Sequence, residues 1–249
     1  MAQLGYGLGG QLHLLRYLGW HRDLLESRLG ERLRAKSIRW LDFGFGGGPE
    51  EADREFAGLE FLPAHAAARR SWQSIWPTGM HPVTWDAIGG VASARGTEWI
   101  LVEAKAHLGE LQSNCESKNW RDRLSLIADA MARTQNALGV PMEADWLRGY
   151  YRYASRLAAL NFLLAAGEKA QLLTICFCGG QDDARRKCPK TTHEWESALA
   201  ARDRHLQLPP RHRLSGHLHK LFLDVRPQST QSLHAEQRFN GVGELVHEA

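Results

Sequence analysis

Long apolar runs are missing from this chain of 249 residues. No uninterrupted hydrophobic stretch approaches the roughly 20 residues that a membrane-spanning helix needs. The glycine-rich start, residues 1–11, lacks the basic flank and apolar centre of a secretory signal peptide. We therefore expect a soluble, cytoplasmic protein that has no membrane partner.

Cysteine is also scarce, and its spacing is irregular. The four cysteines are Cys115, Cys176, Cys178 and Cys188. They do not form the framework of a small disulfide-rich secreted domain, which fits a reducing compartment. The later cysteines and His193 do not match the paired spacing of a zinc site. Gly46-Gly47-Gly48 lacks the Gly-Lys-Ser/Thr ending of a phosphate-binding loop, so the sequence favours neither zinc nor nucleotide binding there.

A strong excess of one charge is absent as well. The chain has 31 Lys and Arg against 28 Asp and Glu, which gives a formal net charge of +3. This mildly basic balance permits a polyanionic partner without requiring one. The hydrophobic content of 43% is enough for a sizeable core.

Helical and strand-like patterns alternate along the chain, with no repeat and no linker. Leucines at helical spacing before Gly30 predict the first helix, and short β-branched runs bounded by glycine predict strands. We therefore expect one α/β domain over residues 1–249. The predicted helices cover 11–29, 50–62, 119–138, 144–166 and 193–203, and the predicted strands cover 37–43, 82–91, 98–106, 170–178 and 218–225.

The clearest local signal is a β-hairpin with charges in its strands. Residues 82–91 and 98–106 are apolar runs separated by a turn-like Ser-Ala-Arg-Gly segment. Glu103 and Lys105 share one face of the second strand, because alternate residues point the same way. Asp86 lies in the first strand. Charges inside half-buried strands are costly unless they are paired or bind a metal.

Two interpretations of these charges remain open from the residues alone. Glu103 and Lys105 are a surface ion pair in the first, and Asp86 is an acid near a turn. In the second, Asp86 and Glu103 are ligands of Mg²⁺, which prefers carboxylate oxygens together with water and substrate phosphate. Lys105 would then orient the attacking water or stabilise charge on the phosphate.

Asp86, 16 intervening residues (87–102) and Glu103-Ala104-Lys105 together resemble the signature of the PD-(D/E)XK phosphodiesterase superfamily. The order of helix, three strands, helix and strand over residues 11–178 is similar too, with 44–80 and 107–143 as insertions. Trp85 stands at the proline of the family name, a loosely kept position. The resemblance implies an α/β, restriction-endonuclease-like core: a helix, a mixed β-sheet of four to five strands, flanking helices and helical insertions. Residues 179–249 would form a C-terminal extension.

The same resemblance implies a function. The chain would be a nuclease that depends on Mg²⁺ or Mn²⁺ and hydrolyses nucleic acid, with DNA as the expected partner. Asp86, Glu103 and Lys105 would be catalytic, and the two carboxylates would hold the metal. The main alternative is a non-catalytic member of this fold that binds nucleic acid or protein. A second alternative is an unrelated α/β protein in which the Glu103–Lys105 pair is incidental.

Further polar residues lie near this motif in the sequence. Arg148, Arg152 and Arg156 are four apart on the predicted helix 144–166, so they would share a face and contact phosphates. A solvated face with partners such as Asp145 is the alternative. Glu26 and Asp42 are possible extra ligands, and His107, Glu110 and Gln112 are possible neighbours of the site. The basic, histidine-rich segment 202–220 is interpreted as solvated surface rather than a metal site, and it could contact a phosphate backbone.

Overall fold

A computed structural model describes residues 9–33, 37–41, 56–77, 82–94, 96–115 and 121–226. The α-helices are α1 Gly10–Trp20, α2 Arg22–Leu33, α3 Ala67–Ile75, α4 Arg121–Leu138, α5 Tyr151–Ala165 and α6 Thr192–His205. The strands are β1 Arg39–Trp40, β2 Phe56–Ala57, β3 Thr84–Trp85, β4 Ala87–Ser93, β5 Gly96–Lys105, β6 Lys169–Cys178 and β7 Leu218–Asp224. None of the helices within these ranges is long and apolar enough to cross a membrane.

Five strands form one mixed sheet in the order β1-β4-β5-β6-β7. The β1–β4 and β4–β5 pairs are antiparallel, whereas β5–β6 and β6–β7 are parallel. The predicted α/β class and mixed sheet are confirmed. β7 pairs along β6, so this part of the expected C-terminal extension completes the sheet. A separate two-stranded ribbon joins β2 to β3.

Side-chain alternation in β5 divides the core into two layers. Ile100, Val102 and Ala104 pack with α1 and α2 on one face of the sheet. Trp99 and Leu101 pack with α4 and α5 on the other face. The sheet is therefore covered on both sides, as the continuous apolar run of β5 requires. Glu103 and Lys105 belong to the second of these faces by the same alternation.

Helix α1 approaches the end of β5 closely enough that only glycine fits at its first residue. A Cβ atom built on Gly10 would lie 2.3 Å from the carbonyl of Ala104. The Gly10 amide donates to Glu110 Oε1 at 2.9 Å, and the Ala106 amide donates to Glu110 Oε2 at 2.6 Å. Glu110 thus joins the start of α1 to the turn Leu108–Glu110 that follows β5.

Several predicted boundaries are wrong for local reasons. The single helix 11–29 is two helices, because the chain turns at His21, where the helical backbone is interrupted. In the predicted helix 50–62, residues 50–55 lie outside the described ranges. Phe56 instead pairs with Trp85, and turns follow it. The unassigned stretch 63–79 contains α3, and the end of the predicted strand 37–43 is also outside the described ranges.

Gly10→Ala tests the close approach of α1 to β5. We expect it to lower the free energy of unfolding by about 1–3 kcal/mol, because the new methyl group overlaps backbone that must shift. Gly19→Ala in the same helix is the control, since its Cβ would meet nothing within 4 Å. That change should stabilise the protein by up to about 1 kcal/mol, the difference in helix propensity. Urea denaturation measures both, and equal effects would contradict the packing argument.

Candidate active site

Asp86 lies between β3 and β4, directly opposite the end of β5. Ala87 pairs with Val102, and continuing that antiparallel register by one residue places Asp86 across from Glu103. The Asp86 amide donates to the Val102 carbonyl at 2.9 Å. Asp86 Oδ2 accepts from the Ala104 amide at 2.8 Å. Both bonds hold the carboxylate over the backbone of β5, on the face that carries Glu103.

Glu103 and Lys105 form an ion pair in which Lys105 Nζ lies 3.0 Å from Glu103 Oε1. The pair is not on the surface. The exposed fractions are 1% for Glu103, 4% for Lys105 and 7% for Asp86. The interpretation as a solvated surface pair is therefore wrong, although the ion pair itself exists.

Arg156 enters the same cluster from α5. Its Nη1 atom lies 3.0 Å from Glu103 Oε1, and its Nη2 atom lies 3.9 Å from Asp86 Oδ2. Arg156 Nε donates to the Thr84 carbonyl at 3.0 Å, and the side chain is only 3% exposed. One guanidinium therefore contacts both carboxylates and anchors α5 to the end of β3.

The predicted arginine stripe does not form. Arg148 precedes α5, because Gly149 adopts a positive φ of 74° and the helix begins only at Tyr151. Arg148 is exposed and lies 4.0 Å from Asp145. Arg152 is exposed in the first turn of α5, one turn from the buried Arg156. The structure therefore brings Arg156 alone of the three to Asp86, Glu103 and Lys105.

Sequence reasoning missed the second arginine near the cluster. Arg202 in α6 is 1% exposed, so its assignment to a solvated basic surface is wrong. Its guanidinium carbon lies 3.3 Å from the centre of the Tyr153 ring, and its Nη2 atom lies 2.8 Å from Asp203 Oδ1. The helical spacing of Trp195, Leu199 and Arg202 on the buried face of α6 was the available signal.

Glu103 stays ionised although it is fully buried. Burial by itself would raise its pKa, but the positive charges of Arg156, Lys105 and Arg202 outweigh that effect and lower the pKa to about 2. Glu103 Oε2 is buried and accepts no hydrogen bond among the described residues. The cluster has no net charge, because the two carboxylates of Asp86 and Glu103 are matched by the positive charges of Lys105 and Arg156.

The donor set fits a hard divalent cation. Two carboxylates already converge on one positive group, and Glu103 Oε2 has an unused lone pair. Within the described ranges, no group of three or more His, Cys, Asp and Glu is arranged to hold a metal. Mg²⁺ at this place would therefore keep water or phosphate ligands beside Asp86 and Glu103, as it commonly does.

The other candidate ligands are engaged elsewhere. Glu26 of α2 accepts through Oε1 from Trp40 Nε1 at 3.0 Å, and Trp40 belongs to the opposite core layer. Glu110 binds backbone amides at the start of α1, and Asp42 lies outside the described ranges. Comparisons of this chain with protein-family models, curated proteins and solved structures give no match.

The low pKa of Glu103 predicts acid-sensitive stability. A carboxyl group whose folded pKa lies below its unfolded value of about 4.5 stabilises the fold above that pH. This contribution, up to about 3 kcal/mol, is lost as pH falls from about 4.5 to about 2. In Glu103→Gln, the free energy of unfolding should no longer show this fall between about pH 4.5 and about pH 2. Denaturation at several pH values measures the difference. The exposed Glu196→Gln is the control, and parallel pH profiles for wild type and Glu103→Gln would contradict the assignment.

Proposed function

We propose that this protein is a metal-dependent phosphodiesterase that hydrolyses nucleic acid, with DNA as the expected substrate. The observation that carries the proposal is the convergence of Asp86, just before β4, with Glu103 and Lys105 of β5 in one buried cluster. The strand order, antiparallel up to β5 and parallel beyond it, supports a restriction-endonuclease-like core.

In this proposal Asp86 and Glu103 hold Mg²⁺ or Mn²⁺. The bound metal supplies Lewis-acid chemistry and an activated water for attack on a phosphodiester. Lys105 contributes an ammonium group that its 3.0 Å contact with Glu103 fixes next to the carboxylates. From that position Lys105 orients the attacking water or stabilises negative charge that develops on the phosphate.

Arg156 links the two carboxylates of the cluster. Its guanidinium contacts both carboxylates, keeps them close together and compensates their charge. A metal ion held by Asp86 and Glu103 would therefore compete with Arg156 for the two carboxylates. Because the cluster is buried, entry of metal and substrate also requires the covering side chains to move.

The same contacts favour a second candidate function, which is a non-catalytic nucleic-acid or protein-binding member of this fold. A cluster whose charges balance internally is stable without a metal, and Arg156 already provides the cation that the carboxylates need. Metal binding and cleavage separate the two candidates.

Metal affinity is the first test of the proposal. We expect Asp86→Asn and Glu103→Gln to weaken the binding of Mn²⁺ sharply in isothermal titration calorimetry, since each removes a ligand charge. Arg156→Gln should tighten binding about tenfold or more, because it removes the competing cation. Glu26→Gln is the matched control on the other face of the sheet. If neither wild type nor a folded Arg156→Gln variant binds Mn²⁺, the non-catalytic candidate is the better one.

Lys105→Met tests catalysis itself. The variant keeps the apolar stem and loses the ammonium, so metal binding should persist while cleavage slows by about 10²–10³-fold, the usual effect of deleting one charge-stabilising donor. The assay is Mg²⁺-dependent cleavage of single- and double-stranded DNA and RNA. Lys169→Met, at the start of β6, is the control. Cleavage that survives in Lys105→Met would reject its role.

A further inference from the structure

A cleft of about 340 Å³ opens at the carboxyl ends of the three parallel strands. Ala106 follows β5 there, Gly179 and Gly180 follow β6, and Val225 and Arg226 follow β7. Its volume lies within the range of small-molecule sites. Ligands of open α/β sheets characteristically bind outside the carboxyl ends of the strands.

Helix α1 forms one wall of this cleft. The helix starts against Ala104, and Tyr17 Oη donates to the Asp224 carbonyl at 2.8 Å, so it crosses from the end of β5 to the end of β7. His13 and Arg16 line the cleft from this helix. His13 Nδ1 is buried and has no hydrogen-bond partner among the described residues.

The folded loop 179–190 forms the opposite wall. The Gly179 amide donates to the Pro189 carbonyl at 3.0 Å, which closes the base of the loop. The Leu108 amide donates to the Lys187 carbonyl at 2.9 Å, which joins the loop to the turn after β5. The loop wall is therefore held by backbone hydrogen bonds and the α1 wall by the Tyr17 side chain, so the cleft is a formed feature of the fold.

The two carboxylates that line the cleft are already engaged. Asp183 accepts from the backbone amide and the guanidinium of Arg186. Asp182 Oδ1 accepts from the Cys188 amide at 2.8 Å and from Lys190 Nζ at 2.9 Å. Both carboxylates are therefore compensated by cations of the same loop and leave the other cations that line the cleft without a carboxylate partner in the described ranges.

The remaining cations of the cleft have no such partners. Arg16 donates to the Val225 carbonyl at 3.3 Å, and neither Arg16 nor Arg226 pairs with a carboxylate in the described part of the chain. Arg185 and Lys187 of loop 179–190 are exposed as well. The cleft thus offers two guanidinium groups that pair with no carboxylate in the described ranges, and a His13 ring nitrogen that has no hydrogen-bond partner there.

We infer that this cleft binds a phosphate group of the nucleic-acid strand that the proposed active site would cleave, with Arg16 and Arg226 as its principal contacts. The inference rests on the proposed function for the identity of the ligand. Guanidinium groups bind phosphate oxygens through charge-assisted, often bidentate hydrogen bonds. Ala106 lines the cleft and follows Lys105 directly, so the phosphate site adjoins the proposed catalytic lysine in the chain.

Exposed Arg152 lies on the other side of the same strand end. The Arg152 amide donates to Ser113 Oγ at 2.8 Å, which places the start of α5 beside the turn that follows β5. The cleft and the exposed Arg152 therefore flank the end of β5 from opposite faces of the sheet. A nucleic-acid strand bound across this edge would therefore pass positive charge on both faces of the sheet.

The test is oligonucleotide binding in the presence of EDTA, which removes cleavage from the measurement. Fluorescence anisotropy with labelled single- and double-stranded DNA should show the Arg16→Gln/Arg226→Gln double variant binding at least tenfold more weakly than wild type. Its slope of log affinity against log salt should fall by between one and two, as expected for two lost phosphate contacts. Arg211→Gln/Arg213→Gln is the matched control, since these exposed arginines precede β7 at the amino end of the parallel strands.

Two further measurements sharpen the result. Arg226→Gln alone changes an exposed side chain, so a weaker affinity in this variant is not a folding effect. A 5′-phosphorylated oligonucleotide that binds more tightly, and is displaced by inorganic phosphate, identifies a terminal phosphate as the ligand. If the oligonucleotide binds equally with and without the 5′-phosphate, and the double variant still binds it more weakly, the ligand is a backbone phosphate.

Failure of the inference is distinguishable from failure of the proposed function. The phosphate site would be overturned if the double variant loses no more oligonucleotide affinity than the control does. It would also be overturned if wild type binds no oligonucleotide. If binding is lost as expected but wild type cleaves no substrate with Mg²⁺ or Mn²⁺, the cleft stands and the nuclease proposal fails.

Discussion

The ion pairing of Arg156 with Asp86 and Glu103 is the interaction on which the rest of this structure depends. A carboxylate as buried as Glu103 is costly unless an opposite charge and hydrogen bonds compensate it. Arg156 supplies that charge and also bonds the Thr84 carbonyl, so it fixes α5 against the point where β3 gives way to β4. Removing one partner would leave an unpaired buried charge, at a cost of about 3–5 kcal/mol.

This cluster sits where the antiparallel and parallel halves of the sheet meet. β5 belongs to both halves, and its last residues carry Glu103 and Lys105 into the space under α5 and α6. Asp86 reaches that space because the β4–β5 register, continued by one residue, sets it opposite Glu103 on the same face of the sheet. The Ala104 amide then donates to its carboxylate, so the strand pairing itself positions the group proposed to hold the metal.

The sequence predicted the hairpin and the shared face of Glu103 and Lys105, because both follow from local alternation along one strand. It did not predict that Arg156 would be buried while Arg148 and Arg152 stay exposed. The difference arises because α5 begins only after Gly149, and because Arg156 bonds the Thr84 carbonyl, 72 residues away in the sequence. Arg202 and the cleft between α1 and loop 179–190 also depend on contacts between distant segments. Phe56 became a strand residue through its pairing with Trp85, against the helical pattern around it.

Charge balance connects the two proposed sites. The cluster of Asp86, Glu103, Lys105 and Arg156 is neutral as a set, so a divalent cation added to it leaves two uncompensated positive charges in a buried place. Withdrawal of Arg156 would remove one of these charges, and the arrival of a phosphodiester would remove the other. Metal and phosphate would therefore each raise the affinity of the cluster for the other. A basic cleft that holds an adjoining phosphate at the end of β5 would then promote metal binding without contacting the metal.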